Sequence, residues 1–224
     1  MAKLIVVTSE LGGFQTNCYM VVNPETREAV VIDPAYDPQY ILDTLKQENF
    51  NCVAIFLTHG HMDHIGALED VRKATGVKCY ASEEEKPVLN SVKGNLSAIF
   101  GKPITVDADI YLKDGDEVKI LGTTVKCLSV PGHTAGGMCY YFPESNIVFT
   151  GDTLFKGSVG RSDFPTGNAQ ALIDNVSEKI LVLPEDTVVY PGHGESTKIG
   201  SPGHRQGHKA VEHIGREKKY NPFF

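Results

Sequence analysis

The chain alternates short apolar segments with longer amphipathic ones, and the short segments predict β-strands. They are rich in β-branched residues and end at glycine, proline or polar residues. Seven of them stand out, at positions 4–7, 19–22, 29–32, 53–57, 124–130, 147–149 and 187–190. Because their apolar residues run on without strict alternation, we expect both faces of these strands to be covered.

Amphipathic segments between the strands predict helices. Apolar residues recur at helical spacing over 38–50, 65–75 and 168–183. Ser82 followed by Glu85 resembles a capping box, in which each side chain bonds a backbone N–H group at the start of a further helix. Helices packed outside a pair of sheets make an α/β layered fold.

Length, composition and charge narrow the class of protein. The 224 residues, 41% of them hydrophobic, are enough for one substantial core, so we expect a single domain over 1–224. No signal-like segment and no run of eighteen apolar residues is found, which predicts a cytoplasmic protein that does not enter membranes. The five cysteines lie singly, without a Cys-x-x-Cys pair, and a formal charge of -7 disfavours nucleic acid as a partner.

The histidines carry the clearest chemical signal. Directly after the predicted strand 53–57, the sequence Thr58-His59-Gly60-His61-Met62-Asp63-His64 places four potential metal ligands within six positions. Imidazole and carboxylate groups together suit zinc or iron. Alternate positions such as His59 and His61 can point towards one ion while Asp63 and His64 turn towards another, so this density predicts a site with two metal ions.

Three further predicted strands end in a potential ligand. His133 follows Pro131-Gly132, Asp152 follows Gly151, and His193 follows Pro191-Gly192. Active sites of α/β proteins gather where strands end in loops, so we expect these segments to converge on one edge with the 58–64 loop. The hydroxyls of Thr58 and Thr134 are better suited to fixing loop geometry than to catalysis.

The order of these residues resembles the metallo-β-lactamase superfamily. Segments 151–155 and 157–164, and the ending Asn221-Pro222-Phe223-Phe224, are similar to its glyoxalase II-like branch, the hydroxyacylglutathione hydrolases and their short relatives. The resemblance implies an αββα four-layer sandwich. It also implies one metal held by His59, His61 and His133, a second held by Asp63, His64 and His193, and Asp152 as a bridge between them.

The expected function is the hydrolysis of a small acyl substrate. Two cations that share a carboxylate can share a water and lower its pKa towards neutrality, which supplies a hydroxide nucleophile; Asp63 would help to orient it. Thioesters of the S-lactoylglutathione type suit this chemistry because thiols ionise near pH ~8.5 and need little acid assistance to leave. Two divalent ions are expected, zinc first, although the same ligands accept iron or manganese.

Three basic residues are candidates for substrate contacts. Arg161 lies where the family places a basic glutathione contact, although a surface ion pair with Asp163 explains it equally well. The segment 201–215 resembles an insertion relative to the short relatives, because Ile214-Gly215 repeats Ile199-Gly200. Its Arg205 and Lys209 would offer charge to a carboxylate-bearing substrate, whereas a further metal site at its histidines is a weaker hypothesis.

Three other functions compete with thioester hydrolysis. A persulfide dioxygenase of the same superfamily would use one iron and leave part of the second ligand set unused. A β-lactamase would cleave a different acyl bond with the same ions. A structural metal module is the non-enzymatic alternative, but structural zinc sites are usually closed, four-coordinate and rich in cysteine.

Overall fold

A computed structural model describes residues 3–200, and its first sheet contains six strands. In their order across the sheet these are β1 (Ile5–Leu11), β2 (Thr16–Val22), β3 (Glu28–Ile32), β4 (Asn51–Phe56), β5 (Cys79–Ser82) and β6 (Ile110–Leu112). Neighbours are antiparallel from β1 to β3 and parallel from β3 to β6.

The second sheet also has six strands, and a short hairpin follows one of them. The sheet contains β7 (Glu117–Ile120), β8 (Thr123–Ser129), β9 (Met138–Phe142), β10 (Ile147–Gly151), β13 (Val188–Pro191) and β14 (Thr197–Lys198), and the hairpin is β11 (Leu154–Phe155) and β12 (Ser158–Val159). Across the sheet the order is β14-β13-β10-β9-β8-β7. Among the described strands of this sheet only β10 and β13 pair in parallel; the other pairs are antiparallel.

The helices lie in the connections. They are α1 (Pro38–Gln47), α2 (Met62–Ile65), α3 (Leu68–Thr75), α4 (Lys86–Leu89), α5 (Ser97–Phe100) and α6 (Ala169–Asn175), which continues into a π-helical turn at Val176–Ile180. Side-chain caps begin two of them: the Asp37 carboxylate accepts from the Tyr40 amide at 3.1 Å, and Asn168 accepts from the Ala171 amide at 3.1 Å. No helix within 3–200 is long and apolar enough to cross a membrane.

Three apolar clusters separate four layers. Side chains of β2, β3 and β4 alternate between a cluster shared with α1 and α3 and a cluster shared with β9 and β10 of the other sheet. The outer face of the second sheet packs against Leu172, Val176 and Ile180 of α6 and its extension. The predicted αββα sandwich is therefore confirmed, and both faces of the central strands are buried as their apolar runs indicated.

Some local predictions were incomplete or wrong. All seven predicted strands are present, but β5, β6, β7, β9 and the short β11, β12 and β14 were not predicted from the sequence. The capping box is wrong: Ser82 makes no side-chain cap, and the turn after it is a three-residue 3-10 helix, Glu83–Glu85. The carboxylate of Glu85 is instead buried against two loops described below.

Candidate metal centre

The seven predicted ligands meet where four strands end at one edge of the sandwich. β4 of the first sheet leads into the 58–64 loop, while β8, β10 and β13 of the second sheet lead to the other three residues. Ligands from both sheets can therefore face one space between the loops. The set is His59, His61, Asp63, His64, His133, Asp152 and His193.

The first group, here called the three-histidine set, is His59, His61 and His133. Nε2 of His59 lies 3.2 Å from Nδ1 of His61, and Nε2 of His133 lies 2.9 Å from the same atom. Zn–N distances of about 2.0–2.1 Å in a tetrahedral site require nitrogens about 3.3 Å apart. The three ring nitrogens therefore converge at a spacing close to that of a tetrahedral metal site.

The second group, here called the mixed set, is Asp63, His64 and His193. Oδ2 of Asp63 lies 3.6 Å from Nε2 of His64 and 3.3 Å from Nε2 of His193. Asp152 reaches both groups: its Oδ1 is 3.4 Å from His64 Nε2, and its Oδ2 is 3.5 Å from His193 Nε2 and 3.7 Å from His133 Nε2. This carboxylate stands where a ligand common to two ions would stand.

Unpartnered polar atoms test whether cations fit here. Three buried polar atoms have no hydrogen-bond partner within the part of the chain that the structure describes, and one of them is Nε2 of His61, whose Nδ1 faces the other two histidines. The other two, Nε2 of His64 and Oδ1 of Asp152, lie 3.4 Å apart at the mixed set. Leaving a buried polar group unpaired costs roughly 1–3 kcal/mol, and more for a charged group. A divalent cation among these nitrogen and oxygen donors would satisfy the two atoms at the mixed set, so the residues present fit the metal ions that the ligand pattern predicts.

The environment keeps the three-histidine set neutral. Burial is the largest cause: it lowers the pKa of His61 to about 3 and the pKa of His59 well below its ordinary value, with neighbouring histidines adding to the effect. Burial also lowers the pKa of His133. Neutral imidazoles are the form that binds a metal, so these three side chains need lose no proton at neutral pH.

In the mixed set the environment raises the pKa of both histidines instead of lowering it. Burial disfavours the charged form of His193, but hydrogen bonds to Asp152 and Asp63 outweigh it and raise its pKa to about 9. For His64, burial is likewise outweighed by the charges of Asp63, Asp152 and Asp33, which raise the pKa. Burial would raise the pKa of Asp63, yet His64 and His193 lower it to about 2. The carboxylates stay ionised and attract positive charge.

Asp33 supports the mixed set, although it was not among the predicted site residues. Its Oδ1 accepts from the Thr58 amide at 2.7 Å, and its Oδ2 accepts from the Thr58 hydroxyl at 2.6 Å and from His64 Nδ1 at 2.9 Å. A donor Nδ1 leaves Nε2 of His64 free to bind metal. The available signal was Ile32-Asp33-Pro34, where a polar residue ends a predicted strand as the ligands do.

Backbone carbonyls orient two other histidines. Nδ1 of His133 donates to the carbonyl of Arg161 at 2.6 Å, and Nδ1 of His193 donates to the carbonyl of Phe14 at 3.1 Å. Each bond leaves Nε2 turned towards the centre. A Cβ at Gly192 would lie 2.1 Å from Asp152 Oδ1, so only glycine lets the His193 loop approach this carboxylate.

Glu85 is a second buried carboxylate that sequence reasoning placed elsewhere. Its Oε1 accepts from the Gly60 amide at 2.8 Å, and its Oε2 accepts from the Thr134 hydroxyl at 2.9 Å and from the Gly136 amide at 2.8 Å. Burial raises its pKa to about 7, although these hydrogen bonds act in the other direction. The capping-box pattern concealed this role because it assigned the side chain to a local bond.

A cavity of about 470 Å³ opens onto the ligands. One wall is apolar and is formed by Phe14, Met62, Leu96, Phe100, Phe155 and Phe164. Arg161 lines the same cavity, with its guanidinium 3.9 Å from the centre of the Phe164 ring. It also forms a bidentate ion pair with Asp163, in which Nε donates to Oδ1 at 2.7 Å and Nη2 donates to Oδ2 at 2.6 Å. Arg161 therefore lines the cavity and also makes the predicted surface pair with Asp163.

The candidate substrate residues Arg205 and Lys209, and the segment 201–215, lie outside the described residues. The last described position, Gly200, donates its amide to the carbonyl of Glu185, which precedes β13. His193 follows β13, so these two points lie at opposite ends of that strand. The proposed contacts of Arg205 and Lys209 therefore stay predictions.

Comparisons with known proteins agree with this geometry. Residues 11–193 match the metallo-beta-lactamase superfamily. Hydroxyacylglutathione hydrolase GloC of Haemophilus influenzae is 32% identical over 99% of this chain and 96% of its own. The crystal structure of BLEG-1 B3 metallo-beta-lactamase is 36% identical with a TM-score of 0.84, covering 90% of this chain and 96% of that one.

A further similar structure was solved with metal bound. TTHA1623 in a di-iron-bound form is 31% identical, with a TM-score of 0.77, and covers 97% of this chain and 100% of that one. The histidine and aspartate cluster and these matches identify the protein as a metallo-hydrolase whose ligands bind divalent metal ions. The chain belongs to the metallo-beta-lactamase superfamily, and within it is similar to a hydroxyacylglutathione hydrolase.

Proposed function

We propose that the protein is a dinuclear thioester hydrolase acting on substrates of the S-lactoylglutathione type. The observation that carries the proposal is the completeness of both ligand sets, with Asp152 within 3.7 Å of ligand atoms in each. A complete mixed set favours two ions over one. Zinc is the proposed metal, and iron is the first alternative because a similar protein has been solved in a di-iron form.

The protein's own residues prepare the centre for this reaction. When bound, two divalent ions supply Lewis acidity, which lowers the pKa of a shared water and polarises a carbonyl oxygen. Asp63 is held by the Thr16 hydroxyl, which donates to its Oδ2 at 3.0 Å, and it stays ionised, so it can accept a hydrogen bond from water. Asp33 and the carbonyls of Phe14 and Arg161 keep the histidines oriented.

The cavity suits an acyl thioester. Its apolar wall can bury the carbon and sulfur atoms next to the scissile bond and exclude water from them. Arg161 stands at the same cavity as a candidate contact for a substrate carboxylate, such as those of glutathione. The similarity to hydroxyacylglutathione hydrolase GloC gives independent support for this substrate class.

Metal analysis combined with a substrate panel tests the proposal. We expect two ions per chain and hydrolysis of S-lactoylglutathione that needs no oxygen and stops when a chelator removes the metal. Simpler thioesters that lack glutathione serve as controls for the thiol carrier. One iron per chain with oxygen uptake on a persulfide would instead identify a dioxygenase, and two ions without thioester cleavage would refute the substrate class.

β-Lactam hydrolysis is the second candidate function. It is favoured by the 36% identity to BLEG-1 B3 metallo-beta-lactamase and by the shared fold. The same centre could attack a lactam carbonyl, but an amine leaving group needs more acid assistance than a thiolate. Rates on a chromogenic cephalosporin and on S-lactoylglutathione, measured on one metal-loaded preparation, decide which substrate has the higher kcat/KM.

A further inference from the structure

Glu85 belongs to neither ligand set, yet it connects the two loops that carry the three-histidine set. Its carboxylate accepts a hydrogen bond from the Gly60 amide, and Gly60 lies between His59 and His61 in the chain. It also accepts a hydrogen bond from the hydroxyl of Thr134, which follows His133 directly. These loops come from different sheets, so the position of His133 relative to the other two histidines is not fixed by local sequence.

The pattern of donors requires a carboxylate at this position. Three donors, two of them backbone N–H groups, point at two oxygens at distances of 2.8 to 2.9 Å. A glutamine has one oxygen and one NH2 group. Whichever way the amide is turned, its NH2 would face the N–H of Gly60 or of Gly136, and neither can accept a hydrogen bond.

The surrounding backbone is shaped to bring Glu85 this close. Its side chain is buried, with a residue exposure of 1%. A Cβ at Gly136 would lie 2.1 Å from the Glu85 amide nitrogen, and a Cβ at Gly60 would lie 2.9 Å from Leu89 of α4. Both loops therefore use glycine where they pass the segment that carries Glu85.

The mixed set has a different carboxylate partner. Asp33 bonds His64 directly and bonds Thr58, but among the described residues it has no hydrogen bond to either glycine or to Thr134. Among the described residues Glu85 makes no hydrogen bond to a ligand side chain; its hydrogen bonds run to Gly60, Thr134 and Gly136. Asp33 therefore acts directly on the mixed set and reaches the three-histidine set only through Thr58, whose hydroxyl lies 3.2 Å from His59 Nδ1.

We propose that Glu85 is a positioning residue that sets the spacing of the three-histidine set and thereby determines metal affinity there, with a much smaller effect on the mixed set, whose His193 lies on a loop that Glu85 does not bond among the described residues. The role passes through the two loops, because Glu85 bonds Gly60, Thr134 and Gly136 and does not line the cavity at the ligands. It concerns the metal alone, so it holds whichever acyl substrate the protein cleaves.

Glu85→Gln tests the proposal in two backgrounds that isolate the ligand sets. His193→Ala weakens the mixed set, and His133→Ala weakens the three-histidine set. Zn²⁺ affinity is measured by competition with a chromogenic chelator, without any substrate. We expect Glu85→Gln to lower affinity about 10- to 100-fold in the His193→Ala background, the range found for residues that orient metal ligands, and to change it less than about threefold in the His133→Ala background.

Two further variants separate positioning from loss of stability. Thr134→Val removes one of the three bonds with little change in volume, so it should lower affinity in the His193→Ala background by a smaller factor. Val71→Ala, in the outer core near α1, should lower Tm without changing Zn²⁺ affinity in either background. Equal losses in both backgrounds, or unchanged affinity for Glu85→Gln and Thr134→Val in the His193→Ala background, would overturn the proposal. If Glu85→Gln fails to fold, Thr134→Val decides alone.

Discussion

The two ligand sets lie side by side at one edge of the sandwich, but their electrostatic environments are opposite. Burial lowers the pKa of all three members of the three-histidine set, whereas carboxylates raise the pKa of His64 and His193 in the mixed set. One set is ready to bind a cation without losing a proton. The other holds negative charge and, without metal, neutralises it with protonated histidines.

The sets also differ in what holds them in place. In the three-histidine set, the Arg161 carbonyl bonds His133, the Thr58 hydroxyl lies 3.2 Å from His59 Nδ1, and Glu85 bonds the loops rather than the histidines. In the mixed set, Asp33 bonds His64 directly and the Phe14 carbonyl bonds His193. Charge in the supporting group raises the basicity of a ligand, so Asp33 strengthens His64 as a metal ligand more than a carbonyl would.

Removing Asp152 should abolish the link between the two sets and has the largest expected effect. Asp152→Ala deletes the one carboxylate within 3–200 that lies within 3.7 Å of ligand atoms of both sets. Changes of supporting residues alone cost about 10- to 100-fold in metal affinity. We therefore expect a loss of more than about 100-fold in kcat together with a loss of bound metal by elemental analysis. Asp43→Ala, an exposed carboxylate on α1, is the control; a fully metallated and active Asp152→Ala would refute a bridging role.

Asp33→Asn should weaken the mixed set more than the three-histidine set, which Asp33 reaches only through Thr58. The asparagine NH2 group in place of Oδ2 would face His64 Nδ1, which then loses its acceptor and its fixed orientation. We expect Zn²⁺ affinity to fall about 10- to 100-fold in the His133→Ala background and by a smaller factor in the His193→Ala background, where the effect passes through Thr58. The opposite pattern would mean that Asp33 and Glu85 do not divide the centre between them.

The pH dependence of metal binding should differ between the sets. At neutral pH a cation entering the mixed set must displace a proton from His193, whose pKa is raised to about 9, and from His64. Affinity there should rise with pH up to about 9, about tenfold per unit for each proton displaced. The three-histidine set should show no such rise above pH 6.5, and calorimetry in buffers of different ionisation enthalpy would count the protons released from each.

The same shifts fix the sign of the pH dependence of the metal-free protein. The folded pKa of His193 is raised, so its stabilising contribution is present below the unfolded value of 6.5 and is lost as pH rises through about 9. The folded pKa of His61 is lowered to about 3, so between pH 6.5 and 3 only the unfolded chain binds this proton, and the free energy of unfolding falls as pH falls through that range. Tm measured from pH 4 to pH 10 should therefore fall at both ends of the range.

Changes at Arg161 should leave both ligand sets intact and alter only substrate binding. His133 bonds the carbonyl of Arg161, which Arg161→Ala retains. Because the guanidinium is half exposed and paired with Asp163, we expect KM for S-lactoylglutathione to rise no more than about fivefold, in line with an exposed ion pair worth under ~1 kcal/mol. Asp163→Asn should lower KM by freeing that charge, and neither variant should change metal content. A loss of metal in Arg161→Ala would contradict this separation.

The sequence by itself determined the ligand types, their positions at strand ends and the layered fold. Strand ends could be located because apolar runs stop at glycine, proline and polar residues, and a dense histidine motif has few structural uses. Short or more polar strands such as β7 and β14 escaped prediction because sheet pairing forms them more than local pattern does.

Only the tertiary structure decided which groups orient the ligands. Asp33 is 31 positions from His64, and Glu85 is 49 positions from Thr134, so no local pattern joins them. The ring nitrogen that each histidine turns towards the centre also depends on the acceptor that binds its other nitrogen, and these acceptors come from distant loops. Local sequence fixes which donors are available; the packing of the two sheets fixes their distances, and those distances set both pKa and metal affinity.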